Sequence, residues 1–148
     1  VGAILGANTF SPATIDPTHP DMFWYGIHGV EMLFTLMGTG CESVTRFHTE
    51  DADVIVGRWK GNRIGTFRGT RKGKSDYGGT VFGEKGNITL GEFKGYDPLL
   101  EHIVEFFDTG VAPVNKQETL EICAFIEAAD LSKNNQGKAV SLSQFLNQ

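Results

Sequence analysis

Residues 21–38 read DMFWYGIHGVEMLFTLMG, from Asp21 to Gly38. Phe23, Ile27, Val30, Phe34 and Met37 recur at helical spacing. Pro20 suits a first helical turn, and Gly38 and Gly40 supply a stop. The pattern predicts a helix over residues 19–38. The segment is strongly apolar, yet it carries His28 and Glu31 one turn apart. Gly26 and Gly29 flank the histidine, and each glycine inside a helix costs about 1 kcal/mol relative to alanine. Two of them imply that something packs very close to that backbone. His28 shares a stripe with Trp24, Glu31, Met32 and Thr35, more polar than the Ile27, Val30, Phe34 stripe. Two readings follow: a general acid or base, since imidazole titrates near neutrality, or a hydrogen-bonded core histidine.

Working outward, residues 1–18 hold Asn8, Pro12 and Pro17 among several Ser and Thr, and read as an irregular leader. After the helix, residues 43–91 carry a run of expected strands: Ser43–Thr49, Asp53–Trp59, Ile64–Thr70, Tyr77–Gly83 and Asn87–Leu90. Lys60-Gly61-Asn62-Arg63 and Glu84-Lys85-Gly86 read as hairpin turns. Residues 97–135 return to helical pattern. Asp97-Pro98 opens one helix, with Leu99, Leu100, Ile103, Val104, Phe106 and Phe107 as a wide apolar face and Gly110 as its stop. Asn115, followed three residues later by Glu118, starts a second, with Leu120, Cys123, Ala124, Phe125 and Ile126 available for burial. Residues 136–148 form a tail in which Val140 and Leu142 suggest a short edge strand. A helix, a run of strands and then two helices argue for an α+β fold: an open, mainly antiparallel sheet with helices packed on one face, in a single domain over 1–148.

Composition narrows the function classes. The 148 residues carry a net charge of −5, which does not suggest nucleic acid as a partner. No run approaches the ~18 apolar residues that a membrane span requires, so no membrane partner is expected. Cys41 and Cys123, far apart and outside any CxxC pair, read as reduced core residues. His19, His28, His48 and His102 lie at no ligand spacing, so no metal site is expected. Arg58, Lys60, Arg63, Arg68, Arg71, Lys72 and Lys74 fall in one acid-free segment. It reads as an anion-facing surface or as a solvated hairpin whose charges deter edge pairing. Glycines at 78, 79, 83 and 86 sit in expected strands and a hairpin. A dinucleotide fingerprint needs its glycines between a strand and a helix, so no cofactor-binding residue is assigned in this chain.

Several motifs, in order, carry a family resemblance. Tyr25-Gly26-Ile27-His28-Gly29-Val30-Glu31, then Leu36-Met37-Gly38, resemble the start of the C-terminal domain of the glucose–fructose oxidoreductase and inositol dehydrogenase (Gfo/Idh/MocA) family. Gly57-Arg58-Trp59-Lys60-Gly61 and Val81-Phe82-Gly83-Glu84-Lys85-Gly86-Asn87-Ile88 resemble its sheet. Ala128-Ala129, leading through Gly137 to Val140-Ser141-Leu142, resembles its ending. The likeness runs from about residue 19 to 143.

The resemblance implies an NAD(P)-dependent oxidoreductase acting on a sugar or polyol, with NAD or NADP held by an N-terminal Rossmann domain absent from this chain. The chain would then be the substrate-binding and oligomerisation domain, inactive alone. His28 matches the family's histidine and is the implied catalytic acid–base residue. Four residues earlier the family usually has aspartate; here the position is Trp24, whose indole only donates a hydrogen bond. Trp24, Tyr25 and His19 are the implied substrate-binding residues, and the flanking glycines would let substrate and cofactor approach. The sheet face implies a homo-oligomer, and Val54, Ile55, Val56, Trp59, Ile64 and Phe67 on both parities of one hairpin fit a sheet covered on both sides. The alternative is a non-catalytic binding or scaffolding domain derived from the same family.

Overall fold

The computed structural model describes residues 1–74, 76–91 and 95–146. A seven-stranded sheet runs in the order β6-β5-β1-β4-β3-β2-β7. Its strands are β1 (Ile4–Pro12), β2 (Cys41–His48), β3 (Ala52–Trp59), β4 (Arg63–Thr70), β5 (Gly78–Gly83), β6 (Gly86–Thr89) and β7 (Val140–Ser141). The helices are α1 (Ile27–Met37), α2 (Asp97–Thr109), α3 (Lys116–Asn134) and the single turn α4 (Ser143–Leu146). Among the described residues only β1 and β4 pair in parallel; every other pair is antiparallel. The architecture is the expected α+β open sheet.

Local chemistry explains the elements that match expectation. At the β3–β4 turn Gly61 and Asn62 both take positive φ, 74° and 58°, as a tight hairpin demands. The Asn115 side chain accepts a 2.8 Å hydrogen bond from the Glu118 N–H and caps α3. Val140 and Ser141 pair with β2 as an edge strand.

Three expectations need correcting. The supposed irregular leader contains β1, which lies inside the sheet between β5 and β4. Its inward residues are Ala7, Thr9 and Ser11, too small and polar to announce a buried strand. They are small because α1 lies directly on them, and Thr9 Oγ1 donates to the Gly29 carbonyl at 2.9 Å. The helix over 19–38 in fact begins at Ile27. Residues 21–23 form one 3₁₀ turn, because Asp21 takes φ 23° and turns its carboxylate inward to Arg46 and Lys133. Finally, α2 buries none of its residues. The helical face of the sheet is already covered by α1 and α3, which share the core with Trp59 and Phe67.

That core explains the glycine beside the histidine. A Cβ at Gly29 would run into the Phe67 ring and come within 2.6 Å of Ser11 Oγ. The close approach is therefore by the protein's own sheet, not by substrate or cofactor. At Gly26 the obstacle is the Met22 thioether, which sits at the end of a flexible side chain. Gly29→Ala should destabilise the fold by about 1–3 kcal/mol, an overpacking cost, and Gly26→Ala by less. Urea denaturation of the two variants checks the order. Beneath α1 and α3 the rings of Phe34, Trp59 and Phe125 lie 5.4–6.0 Å apart, and Trp59 Nε1 donates to the Gly38 carbonyl at 2.8 Å. Cys41 is buried and Cys123 half-buried, both as free thiols.

Candidate functional site

The α1 helix brings His28 to the rim of a cavity of about 560 Å³. Its wall comes from three separate stretches: Tyr25, His28 and Met32 around the start of α1, Tyr77 and Gly78 at the head of β5, and Leu90, Gly91 and Tyr96 between β6 and α2. His28 Nδ1 lies 3.2 Å from Glu31 Oε2. A carboxylate only accepts hydrogen bonds, so Nδ1 is the donor in this contact and Nε2 takes no part in it. Both side chains are about half exposed, so the contact orients the imidazole more than it stabilises the fold. The Tyr25 ring meets His28 edge-on with centroids 5.7 Å apart. Burial, together with neighbouring Tyr25 and Tyr96, pushes the Tyr77 phenol above its usual range, so it stays a neutral hydroxyl.

Of the site residues expected from sequence, the structure brings together His28 and Tyr25. Trp24 and His19 stand outside the cavity lining; their rings stack at 4.2 Å, and Trp24 meets Tyr25 edge-on at 6.5 Å. Sequence reasoning did not assign Tyr77, Leu90 and Tyr96 to the site. Tyr77 carries one available signal, an aromatic residue at the start of a glycine-rich strand.

A second cavity, of about 610 Å³, lies beside the β2–β3 turn, with Arg46, His48, Asp53, Arg68 and Lys133 among its lining residues. Arg46, Asp53 and Asp21 pair with one another and with neighbouring cations. Arg46 Nε donates to Asp53 at 2.8 Å and its terminal nitrogen to Asp21 at 2.9 Å; Arg71 also reaches Asp53, and Lys133 reaches Asp21. Burial alone would raise the Asp21 and Asp53 carboxyls, but the bonds from Arg46, Lys133 and Arg71 outweigh it and hold both below the usual carboxylate range. This is a fold-locking network. It also disperses the basic segment: Arg71 turns to Asp53, Arg63 to the Met37 carbonyl, Lys72 to Asp51 and Lys74 to Asp76. Arg58 and Arg68 remain exposed on the open face of the sheet.

Among the described residues, no group of three or more His, Cys, Asp or Glu could hold a metal ion, and no helix is long and apolar enough to cross a membrane. The glycine-rich strand and the start of α3 lack the strand-to-helix glycine turn of a dinucleotide fingerprint. Gly78, Gly79 and Gly83 lie in β5, and the Asn115 side chain occupies the N-terminus of α3.

No family model matches the sequence, and no curated protein matches it. Solved structures do. A scyllo-inositol dehydrogenase from Lactobacillus casei with bound NAD(H) and scyllo-inositol superposes with a TM-score of 0.76 at 8% identity, over 96% of this chain and 57% of its own. A myo-inositol dehydrogenase from the same organism, in complex with NAD(H) and myo-inositol, gives 0.71 at 14%, over 95% and 54%. A probable dehydrogenase from Thermotoga maritima gives 0.71 at 20%, over 96% and 57%. At these identities the likeness establishes the fold alone, an α+β domain shared with part of each of these structures. More narrowly, the fold is that of the C-terminal domain of the Gfo/Idh/MocA-type dehydrogenases. The chain spans a little over half the length of these structures.

Proposed function

We propose that this chain is the substrate-binding and oligomerisation domain of an NAD(P)-dependent oxidoreductase acting on a sugar or polyol, and that it does not turn over alone. One observation carries the reading: His28 presents its imidazole, oriented by Glu31, at a cavity walled by Tyr25, Tyr77 and Tyr96. Tyrosine rings suit the faces of a sugar ring, because each offers an apolar surface and a hydroxyl. A substrate hydroxyl seated against His28 would give its proton to Nε2, and Glu31 would steady the imidazolium that results. The nicotinamide cofactor supplies the redox change. In this reading its binding residues belong to a nucleotide-binding domain outside these 148 residues. The test is to join the chain to its nucleotide-binding domain and follow nicotinamide reduction with neutral sugars and cyclitols. Reduction with at least one supports the reading, and none with any of them defeats it.

The scaffold reading is favoured by Trp24, which occupies the family's usual aspartate position and stacks on His19. Binding of a sugar without turnover in the joined protein would select it.

The second role concerns the uncovered side of the sheet. Phe47, Val54, Arg68 and Phe10 stand in one cross-strand row, with Phe47 62% and Ile64 53% exposed. Ile55, Trp59 and Phe67 face the helices, so the double apolar parity of the hairpin divides between a covered and an open face. We expect a homodimer or higher oligomer by light scattering, and a monomer for the Phe47→Glu, Ile64→Glu pair. A strict monomer of the unaltered protein at high concentration would contradict it.

A further inference from the structure

Helix α2 presents an apolar face that the fold leaves uncovered. Leu99, Leu100, Ile103, Val104, Phe106 and Phe107 are 40–80% exposed, and their spacing puts all six on one side of the helix. Asp97, Glu101, Glu105 and Asp108 take the other side. Where the two sides meet, Leu100, Val104, Glu101, Glu105 and Asp108 line a groove of about 510 Å³. An apolar stripe of this width faces a packing partner, and a contiguous exposed apolar patch marks an interaction site.

Two observations bear on what covers it. The chain spans 95–96% of its own length but only 54–57% of the dehydrogenases it superposes on, so in each of them further polypeptide accompanies this fold. Tyr96, the residue that opens α2, also lines the cavity at which His28 stands. A nicotinamide that takes hydride from a substrate in that cavity must meet it at contact distance. The domain that holds the nicotinamide would therefore come to rest beside the start of α2.

We infer that the apolar face of α2 is the seat of the nucleotide-binding domain. The docked surface would be apolar and bordered by Lys or Arg that answer Glu101, Glu105 and Asp108. The inference rests on the reading of this chain as one domain of a two-domain oxidoreductase.

The test follows amide hydrogen exchange in the joined protein. Helix α3, whose Ile122, Phe125, Ala128 and Ala129 are buried, serves as the internal standard. A covered α2 should exchange within about tenfold of α3, and exchange more than about tenfold faster overturns the inference. Leu100→Glu with Phe107→Glu should strip the protection from α2 and leave that of α3 unchanged; protection kept in this variant overturns the inference. Protection lost when the Phe47→Glu, Ile64→Glu pair makes the protein monomeric would show a second copy to be the cover, and overturns it too. Nicotinamide reduction with a sugar beside an unprotected α2 overturns the inference and leaves the oxidoreductase reading standing. A protected α2 without reduction by any sugar supports the docking and defeats the reading of the reaction.

Discussion

Arg46→Ala is expected to cost about 3–5 kcal/mol of folding stability, the range for breaking a buried ion pair by removing one partner. The Arg46 side chain is fully buried, as is that of Asp53, and Asp21 is nearly so. One guanidinium joins the two carboxylates, and with them β2, β3 and the turn that leads into α1. Removing it leaves Asp53 to Arg71 and His48, and Asp21 to Lys133, with a cavity where the side chain had been. For a domain of this size the melting temperature should fall by on the order of 10 °C. A loss below about 1 kcal/mol would mean that the remaining cations neutralise the carboxylates unaided. The same network sets the acid limit. The folded-state pKa values of Asp21 and Asp53 lie below their unfolded values, so the unfolded chain binds protons first as pH drops. Their contribution is complete above the ordinary aspartate pKa of about 3.9 and is lost as pH falls below it toward the depressed values. Thermal melts stepped from pH 6 downward should show the decline in the wild type and a shallower one in Arg46→Ala. An equal slope in both would remove the network from the account.

His28→Ala, made in the protein that also carries the nucleotide-binding domain, is expected to lower kcat by about 10²–10⁴-fold, the usual contribution of a positioned acid–base group. KM should move much less. The ring stands about half exposed at the cavity rim, so the substitution opens no hole in the core and the loss should appear without a loss of fold. Glu31→Gln keeps the shape of the residue that orients Nδ1 but removes its charge, and should give a smaller loss. Far-ultraviolet circular dichroism and a melting curve establish that both variants fold; initial rates against substrate concentration separate kcat from KM. Unchanged turnover in His28→Ala would return His28 to the bland reading of a histidine that is merely hydrogen-bonded.

How much of this was legible in the sequence depends on the range of the force involved. The turn at Gly61-Asn62, the cap of Asn115 on Glu118 and the stop at Gly110 are decided within four residues, and each forms where its residue types demand. The pairing of His28 with Glu31 is of the same kind, because residues three apart on a helix are neighbours. The breaks came where a distant partner overrode a local preference. Asp21 leaves the helical path for Arg46, 25 residues away. Strand β1 carries Asn8, Thr9 and Ser11 through the middle of the sheet, because pairing with β4 and β5 satisfies its backbone.

The sequence by itself determined the class of fold, the turns and caps that punctuate it, and the histidine with its carboxylate one turn on. Those rest on period, backbone conformation and short-range hydrogen bonds, all written in consecutive residues. Only the tertiary structure decided that Gly29 is small to admit Phe67 and Ser11, that α2 has no place on the covered face, and that Tyr25, Tyr77, Leu90 and Tyr96 share one cavity with His28. Close packing and burial depend on which surfaces meet after the chain has closed, and residues as far apart as 25 and 96 carry no local mark of that meeting.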